Sequence, residues 1–359
     1  HGGGDRDTLP RMAGERVVLV DGTGLLYRAF HAIPANLKTT AGLPTNALYG
    51  FAQMFRKVLA GRRPGYGAVV FDAGGPNFRK ADLPTYKSAR PPMPDALRAQ
   101  LDYVDKLVEA HHFPVIRESG VEADDVIGTL CGQALAGGHD VWVVSGDKDL
   151  AQLVGEKVRM LDSTKEILYD PEMVARKWGV RPDQLPDLLG LVGDPVDGIP
   201  GVPGIGEKTA TALLAEYGTL DAVLAAADAG LPGRTGNLLR KHRDQAVQSA
   251  RLATLRTDVP TPGLDALKIA LPAPEDLDDI YLELEFWSLL SPSAAARLPK
   301  QTPLRYFVCD TAEMARVALA AECSGPEPTA IHLLLEEPDH LRGELVGIIG
   351  RWLGWLQHH

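Results

Sequence analysis

Val17-Val18-Leu19-Val20-Asp21-Gly22 is a short, continuous apolar run that ends in a carboxylate. Ala68-Val69-Val70-Phe71-Asp72 repeats the pattern, and Val141-Trp142-Val143-Val144 does so a third time before Ser145-Gly146-Asp147. Apolar runs of this length without alternation suit strands buried on both faces. Helix-length segments lie between them, at residues 45–60, 95–111 and 123–135. The alternation predicts an α/β fold, a parallel sheet flanked by helices, whose site forms beyond the carboxyl ends of the strands. All three runs place an acid there.

The 359 residues suffice for two or three domains, and 45% apolar with 23% charged residues describes an ordinary globular chain. No apolar stretch reaches membrane-spanning length; Gly350 and Arg351 interrupt the best late candidate, residues 345–356. Residues 1–16 show no signal peptide and read as a disordered or expression-derived leader. Cys131, Cys309 and Cys323 are too scattered for a disulfide framework or a zinc site and read as reduced thiols. The net charge of -10 runs against nucleic-acid binding, but its distribution does not. Residues 234–256 hold six Lys or Arg against Asp244 alone, and residues 62–98 are also basic. Acids that hold a cation add to the negative count without repelling a phosphate.

Further acids come in tight groups. Glu122-Ala123-Asp124-Asp125 opens an apolar helix, and Asp194 and Asp197 flank a short loop. Asp147 and Asp149 would point one way if the backbone between them stays extended. A single such pair usually means a solvated loop or a helix cap. Nine acids from five segments, three of them at strand ends, repel one another unless cations intervene. Oxygen ligands without His or Cys suit Mg²⁺ or Mn²⁺ rather than zinc. A pair of ions about 3.5–4 Å apart is the usual device for in-line attack of water on a phosphodiester.

Two further segments bear on the substrate. Residues 74–94 form a basic, Pro-rich and aromatic insertion directly after Asp72, above the expected site. Gly201-Val202-Pro203-Gly204-Ile205-Gly206-Glu207-Lys208-Thr209-Ala210 fails as a Walker A loop, because Glu207 separates the last Gly from Lys208. It reads as a helix–hairpin–helix turn, in which glycines and helix-terminal amides hold a nucleic-acid phosphate without reading sequence.

With these residues in hand, the chain from about residue 17 to 290 resembles the 5′ nuclease domain of bacterial DNA polymerase I and the wider flap-endonuclease family. The likeness rests on Val20-Asp21-Gly22, Val70-Phe71-Asp72, Phe78-Arg79, Tyr86-Lys87 with Arg90, Glu122-Ala123-Asp124-Asp125, Gly146-Asp147-Lys148-Asp149, Gly193-Asp194 with Asp197, and Gly204-Ile205-Gly206-Glu207-Lys208-Thr209-Ala210. The resemblance implies a PIN-like metal-binding α/β domain over residues 17–180 with an arch insertion at about 74–94. A helix–hairpin–helix DNA-binding domain would follow at 181–290 and a linker at 291–304.

By the same resemblance, one ion would draw on Asp72, Glu122 and Asp124, with Asp21 close by. A second would draw on Asp147, Asp149 and Asp197, with Asp125 and Asp194 supporting. Lys87 and Arg90 would stabilise charge on the scissile phosphate. Tyr27, Phe78, Arg79, Tyr86, Gly204, Gly206, Lys208 and Thr209 would contact DNA, although Tyr27 fits a core role as well. The family usually carries Asn where this chain has Gly198, a change expected to loosen the turn. Residues 330–350 faintly resemble the start of a 3′–5′ proofreading domain, but its metal-binding acids fall at apolar positions around Leu333-Leu334-Leu335. Residues 305–359 therefore read as a small, degenerate or truncated α+β appendage, with strands at 305–308 and 330–335 around a helix at 312–321.

The expected activity is that of a Mg²⁺-dependent 5′–3′ exonuclease and flap endonuclease, with Mn²⁺ able to substitute. It would act as a monomer, free of membranes, in the bacterial cytosol or nucleoid. Its partners would be DNA with 5′ flaps, nicks or free 5′ ends, and RNA–DNA hybrids. A non-catalytic structure-specific DNA-binding protein is the alternative of another class; it would be expected to lose ligands, and none of the nine acids is missing. A ribonuclease with a related core is a third reading, against which the hairpin and the basic insertion favour DNA junctions.

Overall fold

The computed structural model describes residues 16–60, 64–298, 329–335 and 345–352. The expected leader, except Arg16, which begins the first strand, and the strand at 305–308 and the helix at 312–321 lie outside the described residues. Two compact units divide the chain, residues 1–295 and 296–359. In the second, β7 (Thr329–Leu335) pairs antiparallel with β8 (Leu345–Trp352).

In the first unit, six strands lie in the order β3-β2-β1-β4-β5-β6. They are β1 (Arg16–Asp21), β2 (Tyr66–Val70), β3 (Val115–Ile116), β4 (Asp140–Val144), β5 (Val158–Asp162) and β6 (Ile167–Tyr169). The first five run parallel, and β6 closes one edge antiparallel to β5. Alternate residues feed opposite layers, as strand geometry requires. Val17, Leu19, Ala68, Val70, Val141 and Val143 enter one core, whereas Val18, Val20, Val69, Trp142 and Val144 enter the other. Val17 through Val20 are all completely buried, which is why the run shows no polar alternation.

The second of these cores packs against α1 (Gly22–Ala32), α2 (Asn46–Leu59), α5 (Leu101–Ala110) and α13 (Asp278–Glu283). The first is covered by α6 (Ala123–Ala136) and continues without a break into α8 (Leu185–Val192), α9 (Glu207–Tyr217), α10 (Leu220–Asp228), α11 (Gly233–Lys241) and α12 (Arg243–Ala253). The remaining helices are the short α3 (Phe78–Asp82), α4 (Asp95–Arg98), whose Leu97 joins the second core, and α7 (Pro171–Trp178), whose Val174 joins the first. No single helix among the described residues is long and apolar enough to cross a membrane.

The helix expected at 95–111 is broken between α4 and α5. Gln100, fully buried at the break, accepts from the Ala47 and Leu48 amides and donates to Asn46 Oδ1 and the Ala96 carbonyl. Its side chain satisfies the open amides at the start of α2, whose own cap residue, Thr45, makes no side-chain bond there.

Candidate active site

Register brings the strand ends level. Val20 pairs with Val69 on one side and with Val144 on the other, so Asp21, Asp72 and Asp147 emerge together at the carboxyl end of the sheet. Asp21 also caps α1: Oδ1 accepts from the Gly24 amide at 2.7 Å, and Oδ2 accepts from Ser145 Oγ at 2.7 Å. Burial pushes its carboxyl up to about 6 against these two hydrogen bonds, and Asp147 and Asp72 push the same way. Asp72 is exposed and accepts from the Ala123 amide at 2.9 Å, which ties the end of β2 to the start of α6.

That helix start carries Glu122, Asp124 and Asp125. Burial raises the Asp124 carboxyl well above the usual range; Asp147, Asp21 and Asp72 add to this, opposed by Lys87. Four acids thus converge from β1, β2, α6 and β4. Glu122 is ringed by donors: Lys87 Nζ at 2.9 Å and Asn77 Nδ2 at 3.2 Å on Oε1, Tyr86 Oη at 3.0 Å and Arg79 Nη1 at 3.2 Å on Oε2.

A second group gathers beside β4. The oxygens of Asp149, Asp194 and Asp197 lie within 4.8 Å of one another. Burial lifts the Asp149 carboxyl to about 7, with Asp147 and Asp197 adding to the effect. Its Oδ1 is enclosed and meets no hydrogen-bond donor. A buried carboxylate oxygen without a donor, beside two more acids, fits a hard divalent cation. Asp194 and Asp197 sit on the loop after α8, closed by paired Asp194 and Ile199 amides and carbonyls at 2.8 Å. The expected extended backbone at residues 147–149 is not found. Lys148 is helical (φ -66°, ψ -27°) and leads into a 3-10 turn, so Asp149 turns towards the Asp194 loop instead of alternating beside Asp147.

The segment expected to form the arch rests on this loop. The Lys87 amide donates to the Asp197 carbonyl at 2.9 Å, and Lys87 is held at φ +54°, a left-handed conformation costly for a non-glycine residue. Arg90 Nη2 lies 2.5 Å from Asp197 Oδ1 and Lys87 Nζ 3.7 Å from Oδ2. Gly198, in place of the family's usual Asn, sits where the arch-side backbone approaches closely. Its φ is +73°, and a Cβ there would stand 2.9 Å from the Thr85 carbonyl oxygen.

Two of the expected contact residues, Arg79 and Tyr86, are buried, and so is the supporting acid Asp125. Arg79 is 2% exposed, and its guanidinium grips Asp125 at 2.7 and 2.8 Å and the Leu252 and Thr254 carbonyls. Asp125 is fully buried and also accepts from the Arg256 and Glu122 amides, so its oxygens are committed to this network rather than offered to an ion. Tyr86 is 3% exposed and serves Glu122 rather than a base. Tyr27 is half-buried against the second core, while Phe78, also half-buried, lies against the Arg79 and Arg256 guanidiniums.

Gly204, Gly206 and Lys208 are exposed on the turn into α9, with Thr209 partly buried. Sequence reasoning passed over Arg28, whose guanidinium pairs with Asp162 at 3.3 Å and lies where a Gly146 Cβ would be. It also passed over Ser145, which links Asp21 to the Asp147 amide. Ser145 was legible as a hydroxyl between two strand-end acids; Arg28 was not, since nothing in the sequence tells which face of α1 meets the loop after β4.

The family model described as the 5′-3′ exonuclease N-terminal resolvase-like domain matches residues 16–179, and the one described as the 5′-3′ exonuclease C-terminal SAM fold matches residues 180–275. The DNA polymerase I of Bacillus caldotenax is 40% identical over 296 residues, 81% of this chain and 34% of the relative. That of Mycobacterium tuberculosis is 41% identical over 281 residues, 75% of this chain and 30% of the relative. The chain spans about a third of the length of these curated relatives. Among solved structures, the T5 5′-exonuclease with bound zinc ions has a TM-score of 0.57 at 26% identity, covering 75% of this chain and 99% of that one. The catalytic core of Rad2 with a DNA substrate has a TM-score of 0.54 at 17% identity, covering 80% and 93%, and shares the fold.

Proposed function

The chain belongs to the 5′–3′ exonuclease family, and from that premise we propose that it is a Mg²⁺-dependent 5′–3′ exonuclease and flap endonuclease. It hydrolyses DNA phosphodiesters to 5′-phosphate and 3′-hydroxyl ends, removing primers and the flaps displaced during repair. The observation that carries this reading is the convergence of acids beyond the strand ends, beside which the donor-free Asp149 Oδ1 gathers with Asp194 and Asp197. Divalent ions held by Asp72, Glu122 and Asp124 beside Asp21, and by Asp147, Asp149 and Asp197 beside Asp194, would supply an activated water and neutralise the phosphate charge. Mn²⁺ substitutes because it shares the preference for oxygen ligands.

The chain's own residues position the substrate. Lys87 and Arg90 already reach the acids at 2.9 and 2.5 Å, so a phosphate held at those acids through divalent ions would lie beside both cations. As the transition state gains charge, both cations stabilise it. The Gly204–Gly206 turn, with Lys208 and Thr209 at the start of α9, holds the duplex backbone away from the cut. Phe78 offers a stacking face. Residues 17–180 serve as the metal-binding part and residues 181–290 as the DNA-holding part of a monomer acting on 5′ flaps, nicks, free 5′ ends and RNA–DNA hybrids in the bacterial cytosol. Cleavage of a 5′-labelled flap duplex in Mg²⁺ and in EDTA, with products sized on a denaturing gel, tests the reading. Metal-dependent release of the flap near the junction is expected; tight binding without cleavage in Mg²⁺ and in Mn²⁺ would leave a non-catalytic junction binder.

A further inference from the structure

We propose that Lys148 is a stand-in cation for the second metal position: its ammonium holds the acid cluster together when no ion is bound and must leave for an ion to enter. The inference rests on the metal-centre reading above. Asp149, Asp194 and Asp197 bring carboxylate oxygens within 4.8 Å of one another, and such crowding persists only when positive charge answers it. Asp197 is answered by Arg90 and Lys87. Asp194, 4% exposed, is answered at Oδ2 by Lys148 Nζ at 2.7 Å, while its Oδ1 accepts from the Val196 amide.

The helical backbone at Lys148 separates Asp147 from Asp149 and lets the side chain cross to the Asp194 loop. Its side chain is 40% exposed, so the ammonium can swing into water without crossing the core. Arg79, sealed against Asp125 at 2% exposure, has no such exit. The two pairs therefore differ in kind: one is a fixed strut, the other an exchangeable occupant.

The test is the Mn²⁺ dissociation constant of the full chain without DNA, from the free-ion electron paramagnetic resonance signal. It compares the parent, Lys148→Met and Lys80→Met. Lys80 is an exposed lysine of α3 whose ammonium lies by the Gly75 carbonyl, so its loss removes the same charge without touching the acids. Lys148→Met is expected to bind roughly twofold to fivefold tighter, the scale of one partly exposed ion pair, with Lys80→Met close to the parent. In EDTA, Lys148→Met should unfold at a lower temperature than the parent and recover with Mn²⁺. Equal affinity gains in both variants, no gain in Lys148→Met, or unchanged thermal stability in EDTA would each overturn the stand-in role. Absence of Mn²⁺ binding in all three chains would bring down the metal-centre reading itself.

Discussion

Arg79 and Asp125 exchange two hydrogen bonds within a fully buried network, and the Glu122 carboxylate lies 3.2 Å from the same guanidinium. Such a pair contributes little against water, but breaking it strands a charge where water cannot reach. Arg79→Leu is therefore expected to lower the unfolding free energy by about 3–5 kcal/mol in urea titrations. The double variant Arg79→Leu/Asp125→Leu should recover part of that loss, and a double variant no better than the single one would show that the network is not closed on this pair. The acids proposed as metal ligands should behave in the opposite way. Asp124→Ala and Asp147→Ala remove like charges from a crowd, so they are expected to abolish flap cleavage while the metal-free chain unfolds no earlier than the parent. Parent-like cleavage by either variant would refute its assignment as a ligand.

At the scale of elements, the sheet was legible because three buried runs carry no polar residue, and the site was legible because each run stops at an acid. The short strands β3 and β6, of two and three residues, carry too little pattern to show in sequence. The break between α4 and α5 was hidden for a different reason. Gln100 is a good helix former, and its use as the cap of α2 depends on two elements meeting that lie some fifty residues apart. Gln100→Ala should cost about 2–4 kcal/mol, since it strips two buried amides of their acceptor and leaves a void. Retained stability would mean that α2 finds another cap. The same limit explains Arg79: its motif placed it near the acids, but only the packing of α3 against residues 252–256 shows that it points inward.

Over the whole molecule, two sets of buried groups pull stability in opposite directions with pH. His111, 2% exposed, donates from Nδ1 to the Leu107 carbonyl and accepts at Nε2 from Tyr281, so it is held neutral, and burial lowers it to about 4. The unfolded chain then binds more protons than the folded one between about 4 and 6.5, and this part of the stability falls as pH falls through that window. Asp21 and Asp149 are raised to about 6 and about 7, so the folded chain binds the extra protons instead. Their contribution is present at low pH and is lost as pH rises through 6 and 7. A bound divalent ion keeps those carboxylates ionised and removes their part of the slope. In EDTA, urea titrations should show stability rising from pH 8 to pH 6 and still rising, more gently, on further acidification, because two raised carboxyls outweigh the one lowered imidazole down to about pH 4. In saturating Mg²⁺ the rise from pH 8 to pH 6 should vanish and the His111 loss should become visible below about pH 6.5, and His111→Phe should flatten that loss. A metal-free chain that weakens from pH 8 to pH 6 would show that its acids are not crowded in solution.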